Sequence, residues 1–385
     1  MRTLDGITVV SLEQAVAAPF ASRQLADQGA RVIKIERPDG GDFARNYDQR
    51  ARGNSSHFVW LNRSKESVCL DLKSRDGRSF LSQLLTHCDV FIQNLGPHVC
   101  ESLGFGWERV CEINPNCITC SISGYGLGGP FDHRKAYDLL IQGESGVMSV
   151  TGTENSICKT GLSVADIAAA MYAYTNILSA LIAREKNGEV RHIEVPMLEA
   201  LVEWMGFPLH YCLDDQTPPP RTGAAHATIF PYGPYATSGG EVLLIAVQQD
   251  REWQAFCLHI LQDSELAMNS LYSTTSQRSA ARDILQPRIA RRILKLSIQE
   301  AIARLEEGKI AFSQVKSVPE VWNHPQLLAR ERFTEVDTPI GKVPALLPPG
   351  MNRDCVRMGR VPAIGEHTES VLRWLEEMPD ASRPR

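Results

Sequence analysis

Residues Ser163–Lys186 read SVADIAAAMYAYTNILSALIAREK, and this stretch is predicted to form a long amphipathic helix. Its larger apolar residues recur at steps of four, three, four and three, the spacing of one buried helix face. They are Ile167, Met171, Tyr174, Leu178 and Leu181. Asn187 and Gly188 follow, and such residues commonly end a helix. We expect the rest of the chain to be organised around this helix.

Asp166 is an acidic residue in the first turn of the predicted helix, because Ser163 stands at the N-cap position. The positive end of the helix dipole lies there and would help to keep a carboxylate ionised. Two interpretations follow from the spacing alone. Ser163 and Asp166 fit the capping-box pattern, which stabilises a helix start. Alternatively, Asp166 is a nucleophile.

The composition is ordinary for a soluble globular protein, with 43% hydrophobic and 22% charged residues among 385. A net charge of −5 argues against a nucleic-acid partner. No apolar run approaches the length of a membrane span, so we expect no membrane partner. The N-terminus shows no targeting segment, which predicts a cytoplasmic location, with an organelle matrix as the alternative.

Ten cysteines are scattered through apolar patterns, and we expect them to be reduced. Cys117 and Cys120 form a CxxC within a strand-like run, where the two sulfurs would face opposite sides of a sheet. No second cysteine pair or histidine cluster accompanies them. The sequence therefore predicts no metal site.

Strand and helix patterns alternate through the first half of the chain. Ile7–Leu12 and Arg31–Ile35 are strand-like and flank a helical stretch, an arrangement that predicts parallel strands joined by a right-handed crossover. Glu36 ends the second strand, where a dinucleotide-binding enzyme holds a ribose hydroxyl. The first loop, however, contains Ala17–Pro19 and lacks G-x-G-x-x-G. This absence disfavours a nicotinamide-dependent enzyme.

We predict an α/β fold, with a large doubly wound parallel-sheet domain and a smaller α+β domain. Residues 1–195 are assigned to the large domain, and residues 196–220 to a helix and a proline-rich linker. Residues 221–325 form the smaller domain, and residues 326–385 return to the large one. The glycine loop Gly124–Pro130 fits either a flexible turn or close approach of the backbone to a ligand.

Several motifs together resemble the class III CoA-transferases, a family that includes formyl-CoA transferase, carnitine CoA-transferase and related acyl-CoA racemases. They occur in the family's order over nearly the whole chain. Among them are VIKIERPDGGDFAR (Val32–Arg45), LNRSKESVCLDLK (Leu61–Lys73), DVFIQNLGP (Asp89–Pro97), YDLLIQGESGVMSVTG (Tyr137–Gly152) and GLSVADIAAAMYA (Gly161–Ala173). The resemblance implies the family's fold, in which two chains thread through one another as an interlocked homodimer.

The family's catalytic aspartate opens the long central helix, and the resemblance assigns that role to Asp166. The implied reaction moves CoA from an acyl-CoA thioester to a small carboxylic acid, through an aspartyl anhydride and an aspartyl-CoA thioester. The racemases carry a histidine where this chain has Tyr137, and a phenol with a pKa of about 10 exchanges carbon-bound protons poorly near neutral pH. This difference disfavours an acyl-CoA racemase or epimerase, which is the alternative interpretation. A CoA-binding protein without catalysis is a third interpretation, and the retained Asp166 argues against it.

The resemblance also implies contacts to CoA, which is expected as a substrate and not as a tightly bound cofactor. These contacts are assigned to Val16, Ala17, Arg37, Leu61, Arg63, Lys65, Asn94, Leu95 and Lys135. The cations among them suit the CoA phosphates. Some family members carry an arginine at the position of Ser102. Phosphate recognition there must differ, or another basic residue replaces that cation.

The segments Arg221–Tyr235 and Gln248–Trp253 resemble the subset of the family that acts on C4–C5 dicarboxylates and their CoA esters, such as succinyl-, mesaconyl-, itaconyl- or citramalyl-CoA. The implied substrate contacts are Tyr137, Arg221, Gly223, His226 and Tyr232, with Arg221 or Arg251 pairing a free carboxylate. A purely structural role for His226 is equally compatible with the sequence. Transfer of CoA between two carboxylates of one diacid would use the same residues.

Overall fold

The structure is a computed structural model that describes residues 1–378, and these divide into two compact units. Of the described residues, unit 1 comprises Met1–Gly146, Thr160–Met205 and 325–378, and unit 2 comprises Val147–Lys159 and Gly206–His324. The chain enters the long segment of unit 2 between Met205 and Gly206. This boundary precedes the proline-rich linker, where the sequence suggested one. Residues 379–385, the end of the predicted C-terminal segment, lie outside the described residues.

A sheet of six parallel strands forms the centre of unit 1. The strands are β1 (Thr8–Leu12), β2 (Arg31–Glu36), β3 (Lys65–Cys69), β4 (Val90–Gln93), β5 (Ile118–Ser123) and β8 (His192–Pro196). Their order is β3-β2-β1-β4-β5-β8, and the predicted parallel pairing of the first two strands is confirmed. The order reverses between β1 and β4, where open α/β sheets bind ligands at the carboxyl ends of the strands.

Helices pack on this sheet. The helices of unit 1 are α1 (Ala17–Asp27), α2 (Ser56–Asn62), α3 (Arg75–Thr86), α4 (Val99–Ser102), α5 (Trp107–Ile113), α6 (Asp138–Glu144), α8 (Val164–Asn187), α9 (Met197–Trp204), α17 (Pro325–Ala329) and α18 (Thr368–Glu377). Leu81 of α3, Val110 of α5 and Val371 of α18 join strand residues such as Val10 and Ile33 in one core cluster. In turn, α1 and α8 pack against each other and against strands of the sheet.

The long helix α8 begins and ends as predicted, with Ser163 at the N-cap and Gly188 at the C-cap, where φ is 72°. Its predicted buried face is wrong. The fully buried residues are Ala165, Ala168, Ala169, Ala170, Ala173, Ile177 and Ala180, and the five residues of the predicted face are only partly buried. Small side chains permit α1, itself rich in alanine, to approach closely. Close packing of the two helices therefore selects the alanine face.

Within the described residues, α8 is also long and apolar enough, by length and composition, to cross a membrane, with a mean hydropathy of 1.3. Its 24 residues extend about 36 Å at 1.5 Å per residue. This corrects the expectation that no apolar run approaches the length of a membrane span. The helix packs against α1, α6, α9, β5 and β8, as a core helix does.

Unit 2 contains the small β element that the sequence predicted. Its strands are β6 (Gly152–Thr153), β7 (Ser156–Ile157), β9 (Tyr232–Ala236), β10 (Val242–Ala246) and β11 (Ala311–Gln314), and the last three form an antiparallel sheet. Its helices are α7 (Val147–Val150), α10 (Gly206–Tyr211), α11 (Asp250–Phe256), α12 (Ser264–Ala267), α13 (Thr275–Ala280), α14 (Arg282–Ile293), α15 (Ile298–Glu307) and α16 (Val318–Val321). Trp253, Phe256 and Ile289 lie at the centre of its core.

The C-terminal part of unit 1 contributes a hairpin and a helix. The hairpin joins β12 (Phe333–Thr338) to β13 (Gly341–Leu346), so its turn follows Thr338. The start of α18 covers the edge strand β3, because the side chain of Thr368, its first residue, accepts the backbone N–H of Cys69 at 2.9 Å. This contact protects an otherwise open sheet edge.

Candidate active site

Asp166 is a half-buried carboxylate at the start of α8. The backbone N–H of Ala17, the first residue of α1, favours its ionised form. Burial and, secondly, the charge of Asp138 raise the pKa of Asp166 to about 7, and the N–H of Ala17 offsets only part of this rise. Burial therefore outweighs the help that the helix start was expected to give to the ionised carboxylate. Protonated and ionised forms are both populated at neutral pH.

Asp138, the first residue of α6, caps the start of α8. Its Oδ1 accepts the backbone N–H of Ala165 at 2.9 Å, and its Oδ2 accepts a hydrogen bond from the side-chain amide of Gln142 at 2.7 Å. Among the described residues, Ser163 makes no side-chain capping bond. The capping-box interpretation of Ser163 and Asp166 is therefore wrong, and the carboxylate of Asp166 is not needed to start the helix.

Two tyrosines lie in the electrostatic environment of Asp166. Partial burial, followed by the charges of Asp42, Asp166 and Tyr137, raises the pKa of Tyr47 to about 12. Tyr47 directly follows the 3₁₀ turn Phe43–Asn46 and stays protonated at neutral pH. The side chain of Tyr137 precedes α6 and is 65% exposed. The surroundings of the carboxylate thus offer neutral hydroxyl groups.

Asp42 joins the loop before α1 to the 3₁₀ turn. Its Oδ1 accepts the backbone N–H groups of Ala15 at 3.1 Å and Ala44 at 2.9 Å, and its Oδ2 lies 2.8 Å from Nζ of Lys34. Ala15 has a φ of 60°, a left-handed conformation that is uncommon for residues other than glycine. This buried carboxylate therefore fixes the path of the chain that leads to Ala17.

Asn94 anchors the same loop from β4. Its Oδ1 accepts the backbone N–H of Gln14 at 2.8 Å, and its Nδ2 donates to the carbonyl oxygen of Gln14 at 2.9 Å. Asn94 thus shapes the loop before α1, and its implied contact with CoA stays a prediction. Val16, the N-cap of α1, is itself buried.

Lys65 is fully buried, although the resemblance implied a contact with a CoA phosphate. Its Nζ lies 2.6 Å from Oε1 of Glu13 and donates to Oδ1 of Asn62 and the carbonyl oxygen of Pro19, both at 3.0 Å. These three acceptors satisfy the three N–H groups of the ammonium. The role of Lys65 is therefore corrected to a structural one.

Arg63 and Leu61 are likewise inside unit 1. The guanidinium of Arg63 donates to both oxygens of Asp27, at 2.7 and 2.6 Å, and Leu61 is fully buried in α2. Both side chains are therefore committed to the interior of unit 1, and the implied contacts of these residues with CoA stay predictions.

A cleft of about 470 Å³ opens in unit 1 at the carboxyl ends of β1, β2, β3 and β4. Its apolar wall is formed by Leu12, Ile35, Leu70, Leu72, Leu95, Val99 and Leu103. Arg37 and Lys73 add two cations to the lining. The cleft lies where the strand order reverses, the position at which α/β sheets bind ligands. Of the implied CoA contacts, Arg37 and Leu95 are found on it.

The two cations of the cleft differ in their hydrogen bonds and in their exposure to solvent. Arg37 donates from Nε and Nη2 to the carbonyl oxygen of Gly41 at 3.3 and 3.1 Å, and its side chain is about half exposed. Lys73 is exposed. Ser102, where relatives of the family can carry arginine, bonds through its hydroxyl to the carbonyl oxygen of Val99, a residue of the cleft wall. Because Val99 lines the cleft, Ser102 lies beside it, and Lys73 supplies a cation to this same cleft.

Glu36 lines the cleft, and its carboxylate is hydrogen-bonded by other side chains of the protein. Arg45 donates to its two oxygens at 2.8 and 2.6 Å, and the hydroxyl of Ser67 donates at 2.6 Å. Burial alone would raise the pKa of Glu36, but the hydrogen bonds from Arg45 and the charge of Lys34 lower it to about 2. Its carboxylate is therefore committed to the fold and not available to a ribose.

The glycine loop Gly124–Pro130 approaches the protein chain closely. A Cβ atom placed on Gly124 would lie 2.2 Å from Cβ of Ala136, so no larger residue fits there without movement. Lys135 and Tyr137 are the neighbours of Ala136 in the chain. Gly124 therefore requires the absence of a side chain to pack against the segment before α6, and close approach of this loop to a ligand stays a prediction.

In unit 2, the guanidinium of Arg221 is bound by backbone carbonyl groups. It donates to the oxygens of Thr153 at 2.9 Å, Ser149 at 3.3 Å and Glu154 at 2.9 Å. These bonds hold the guanidinium of Arg221 in place, and its implied pairing with a substrate carboxylate stays a prediction. Arg251, the alternative cation, is exposed in α11.

His226 is partly buried, and its ring stacks on Tyr232 with 5.2 Å between centroids. Its Nδ1 accepts the backbone N–H groups of Thr228 at 3.2 Å and Ile229 at 3.0 Å. In a neutral ring the proton is consequently on Nε2. The structural role that the sequence left open thus belongs to Nδ1, and Nε2–H is left as a donor. Gly223, nearby in the chain, has a φ of 64°.

Three residues of this region were missed by the sequence analysis. Lys73 closely follows a predicted strand, and that position at the carboxyl end of a parallel strand could have indicated it. Tyr47 lies after a short 3₁₀ turn that has no strong local pattern. Asp138 was missed because its partner, Ala165, is 27 residues away along the chain.

Comparisons with known proteins extend over nearly the whole chain. A succinate–glutarate CoA-transferase of Agrobacterium fabrum is 32% identical over 392 residues, which cover 99% of this chain and 98% of that protein. A succinyl-CoA:mesaconate CoA-transferase of Haloarcula hispanica is 30% identical and covers 97% of this chain and 96% of its own length. The crystal structure of a CAIB/BAIF family protein from Brucella suis, 31% identical, superposes with a TM-score of 0.84 over 97% of this chain and 99% of that one. The family model described as CoA-transferase family III matches residues 4–368, and the chain therefore belongs to CoA-transferase family III.

Proposed function

We propose that this enzyme moves CoA between a succinyl-CoA-like thioester and a C4–C5 dicarboxylate, with Asp166 as the covalent carrier. The observation that carries the proposal is the environment of Asp166. The carboxylate is half-buried at the start of α8, the charge of Asp138 acts on it, and its pKa is raised to about 7. A carboxylate that only capped a helix would be stabilised in its ionised form, whereas strongly perturbed groups cluster at functional sites.

The reaction begins when an ionised oxygen of Asp166 attacks the thioester carbonyl carbon. A C–O bond forms as the C–S bond breaks, and CoA leaves as the thiolate from an acyl-aspartyl anhydride. The thiolate then attacks Cγ of Asp166, which releases the donor acid as a carboxylate and leaves an aspartyl-CoA thioester. The acceptor carboxylate attacks Cγ of that thioester, which breaks the C–S bond and gives an acceptor–aspartyl anhydride and free thiolate. The thiolate attacks the acceptor's carbonyl carbon of this anhydride and breaks its C–O bond to Asp166. CoA ends on the acceptor and the carboxylate of Asp166 is regenerated.

Neutral donors around Asp166 support this chemistry. The backbone N–H of Ala17 favours the ionised carboxylate, and Asp42 holds the loop that leads to Ala17. Each addition step places negative charge on a carbonyl oxygen, and fixed N–H or O–H donors stabilise such charge. Tyr47 remains protonated at neutral pH and offers a hydroxyl group of this kind.

We assign the nucleotide end of CoA to the cleft of unit 1. Arg37 and Lys73 offer positive charge to phosphate groups, and Leu95, Val99 and Leu103 offer apolar surface to the adenine and pantetheine groups. In this assignment Lys73 takes the place of the cation absent at Ser102. CoA leaves the enzyme in each turnover and is a substrate, so no tightly bound cofactor is proposed.

Dicarboxylates are favoured as the acids because the similar enzymes of Agrobacterium and Haloarcula are named for succinate, glutarate and mesaconate. We propose that Nε2–H of His226 donates to a carboxylate of the substrate. His226→Asn tests this role, since Oδ1 of asparagine can replace Nδ1 as the acceptor for the backbone while Nε2–H is lost. The KM for succinate should rise, whereas the KM for a monocarboxylate such as propionate should not change.

Transfer between two carboxylates of one diacid uses the same steps. A single monothioester of an unsymmetrical diacid, incubated with the enzyme and no second acid, distinguishes the two cases. If the isomeric monothioester forms at a rate that does not fall when the free acids are diluted, the transfer is intramolecular. Dependence of the rate on added acid would show the intermolecular reaction.

We also propose that the enzyme is a homodimer. Several large apolar side chains of unit 1 are about half exposed or more in the single chain, and they are Leu139, Leu140, Leu162, Ile182 and Trp204. Exposed apolar surface of this extent is typical of a protein that buries it against a partner. Light scattering after size exclusion should give twice the mass of one chain. A monomer at micromolar concentration would contradict the proposal.

Covalent trapping tests the central role of Asp166. The enzyme is incubated with succinyl-CoA, quenched with hydroxylamine, digested and examined by mass spectrometry. We expect a hydroxamate on the peptide containing Asp166, and none in Asp166→Asn. Asp76→Asn is the matched control, since Asp76 also lies in the first turn of a helix but is exposed. It should leave the hydroxamate unchanged.

If no hydroxamate forms with succinyl-, glutaryl-, mesaconyl- or acetyl-CoA, although the protein binds CoA, the transferase mechanism is wrong. Deuterium incorporation at the α-carbon of an acyl-CoA, without CoA transfer, would then identify the racemase alternative. The tyrosine at position 137 disfavours that alternative, because proton exchange at carbon needs a base that titrates near neutral pH.

A further inference from the structure

We infer that Asp138 is a positioning residue that holds the start of α8 and, through its negative charge, disfavours the free carboxylate of Asp166 relative to the neutral acylated forms. This inference rests on the proposed function of Asp166. It concerns the balance between free and acylated enzyme, which a helix cap alone would not affect.

Asp138 is held in place by both of its oxygens. Oδ1 accepts the N–H of Ala165, the residue just before Asp166, and Oδ2 accepts from Nε2 of Gln142. Gln142 is itself fully buried, and its Oε1 accepts the backbone N–H of Thr160 at 2.9 Å. Its amide cannot rotate without losing both bonds. The charge of Asp138 is therefore fixed beside the first turn of α8.

The groups that face Asp166 are few. Asp138 of α6 contributes a negative charge, and Ala17 of α1 contributes a backbone N–H. Tyr47 and Tyr137 add hydroxyl groups in the same region. Among residues 1–378, no lysine or arginine is among the groups that shift the ionisation of Asp166. The repulsion from Asp138 is thus not cancelled by a neighbouring cation.

Acylation removes this repulsion. When Asp166 attacks the thioester, its carboxylate becomes a neutral anhydride or thioester, and the negative charge leaves on the CoA thiolate. Repulsion by Asp138 is therefore present in the free ionised enzyme and absent from both covalent forms. Interactions that are worse in the ground state than in the later states favour the forward step.

A neutral cap separates the two effects of Asp138. Asp138→Asn and Asp138→Ser each retain an oxygen that can accept the N–H of Ala165 but remove the charge. Asp138→Glu retains the charge. Glu144→Gln is the matched control, because it removes a negative charge from the exposed far end of the same helix, α6.

Two measurements are made on these variants. The first is the titration of Asp166 in protein labelled with [4-¹³C]aspartate, with Asp166→Asn identifying the resonance. The second is the ratio of aspartyl-CoA adduct to free enzyme at pH 8.5, from intact-protein mass spectra after acid quenching. For the two neutral variants we expect the titration midpoint to fall by about 0.5 to 1 pH unit, and the adduct ratio to fall about 3- to 10-fold. Asp138→Glu and Glu144→Gln should remain close to the wild type.

The inference is overturned if both neutral variants titrate with the wild-type midpoint, because Asp138 would then act only as a cap. It is also overturned if Glu144→Gln shifts the midpoint equally, because the effect would then reflect net charge. The titration requires no turnover. A wild-type enzyme that forms no adduct would contradict the proposed function, whereas an unchanged midpoint contradicts the role of Asp138.

Discussion

The guanidinium of Arg63 donates to both oxygens of Asp27, at 2.7 and 2.6 Å, in the interior of unit 1. Both side chains are almost completely buried, and Arg23 lies 3.5 Å from the same carboxylate. A buried charge depends on its partner, since removal of one member leaves the other without compensation. The position of Arg63 within a family motif therefore reflects the requirements of the fold.

Arg63→Ala should lower the free energy of unfolding by about 3 to 5 kcal/mol, because it leaves Asp27 with weaker compensation in the interior. Urea denaturation followed by circular dichroism measures this change. Arg37→Ala serves as the control, and its exposed side chain predicts almost unchanged stability. An Arg63→Ala protein of wild-type stability with weakened CoA binding would instead restore the contact that the family resemblance implied.

Arg37 and Lys73 should carry the electrostatic part of CoA binding. Either Arg37→Ala or Lys73→Ala is expected to raise the Kd for CoA about 5- to 30-fold, the equivalent of about 1 to 2 kcal/mol for a charge-assisted contact. Isothermal titration calorimetry at two salt concentrations measures the loss and its ionic character. Arg75→Ala is the matched control, because this exposed cation lies two residues from Lys73 and does not line the cleft. Equal losses in all three variants would show a non-specific effect of net charge.

The parallel sheet and the bounds of α8 could be predicted because their signals are local. Apolar strand patterns and a glycine in the left-handed conformation at position 188 act over a few residues, whereas the bond that caps the start of α8 comes from Asp138, 27 residues away from Ala165. The buried face of α8 could not be predicted in the same way. It depends on α1, whose small side chains lie far away in sequence and select alanines over the larger apolar residues.

The cations of the candidate site show the same limit of prediction from sequence. Arg37, Arg63 and Lys65 all belong to motifs of the family, and their chemistry suits phosphate equally well. Only Arg37 of these three lines the cleft, because Glu13 and Asp27 pair with the other two inside the protein. Burial is a property of tertiary packing, and no spacing rule indicates which cation faces solvent.

Glu36 should make unit 1 sensitive to acid. Its pKa is about 2 in the folded protein and has an ordinary value of 4.5 in the unfolded chain, so the folded state binds the proton less tightly. The stability that it contributes is complete above pH 4.5 and is lost as the pH falls towards 2. The loss amounts to about 3 kcal/mol at 1.4 kcal/mol per pKa unit.

Urea denaturation from pH 7 to pH 3 tests this dependence. Glu36→Gln should be less stable than the wild type at pH 7, and its stability should fall less steeply below pH 4.5. Glu66→Gln is the control, since Glu66 pairs with Arg31 near the surface, at 2.8 Å. That variant should keep the wild-type slope. Parallel pH profiles for Glu36→Gln and the wild type would contradict the assignment.

Asp166 should destabilise the folded protein in alkaline solution. Its pKa is raised from an ordinary 3.8 to about 7, so the folded state holds the proton more tightly than the unfolded chain does. Stability therefore falls as the pH rises from about 4 to 7, and the full cost is present above pH 7. Asp166→Asn removes the charge, and its Oδ1 can still accept the N–H of Ala17. This variant should gain about 1 to 3 kcal/mol over the wild type at pH 8, with the gain shrinking towards pH 5.

Denaturation of both proteins at pH 5 and pH 8 measures this difference, and Asp76→Asn again provides the matched control. Asp76 is exposed in the first turn of α3, where a carboxylate is favoured by the helix dipole, so its loss should slightly destabilise the protein at both pH values. Opposite signs for the two variants at pH 8 would mark Asp166 as a carboxylate retained at the expense of stability. An Asp166→Asn protein less stable than the wild type at pH 8 would instead show that the ionised side chain supports the fold, and the argument for a nucleophile from its raised pKa would fail.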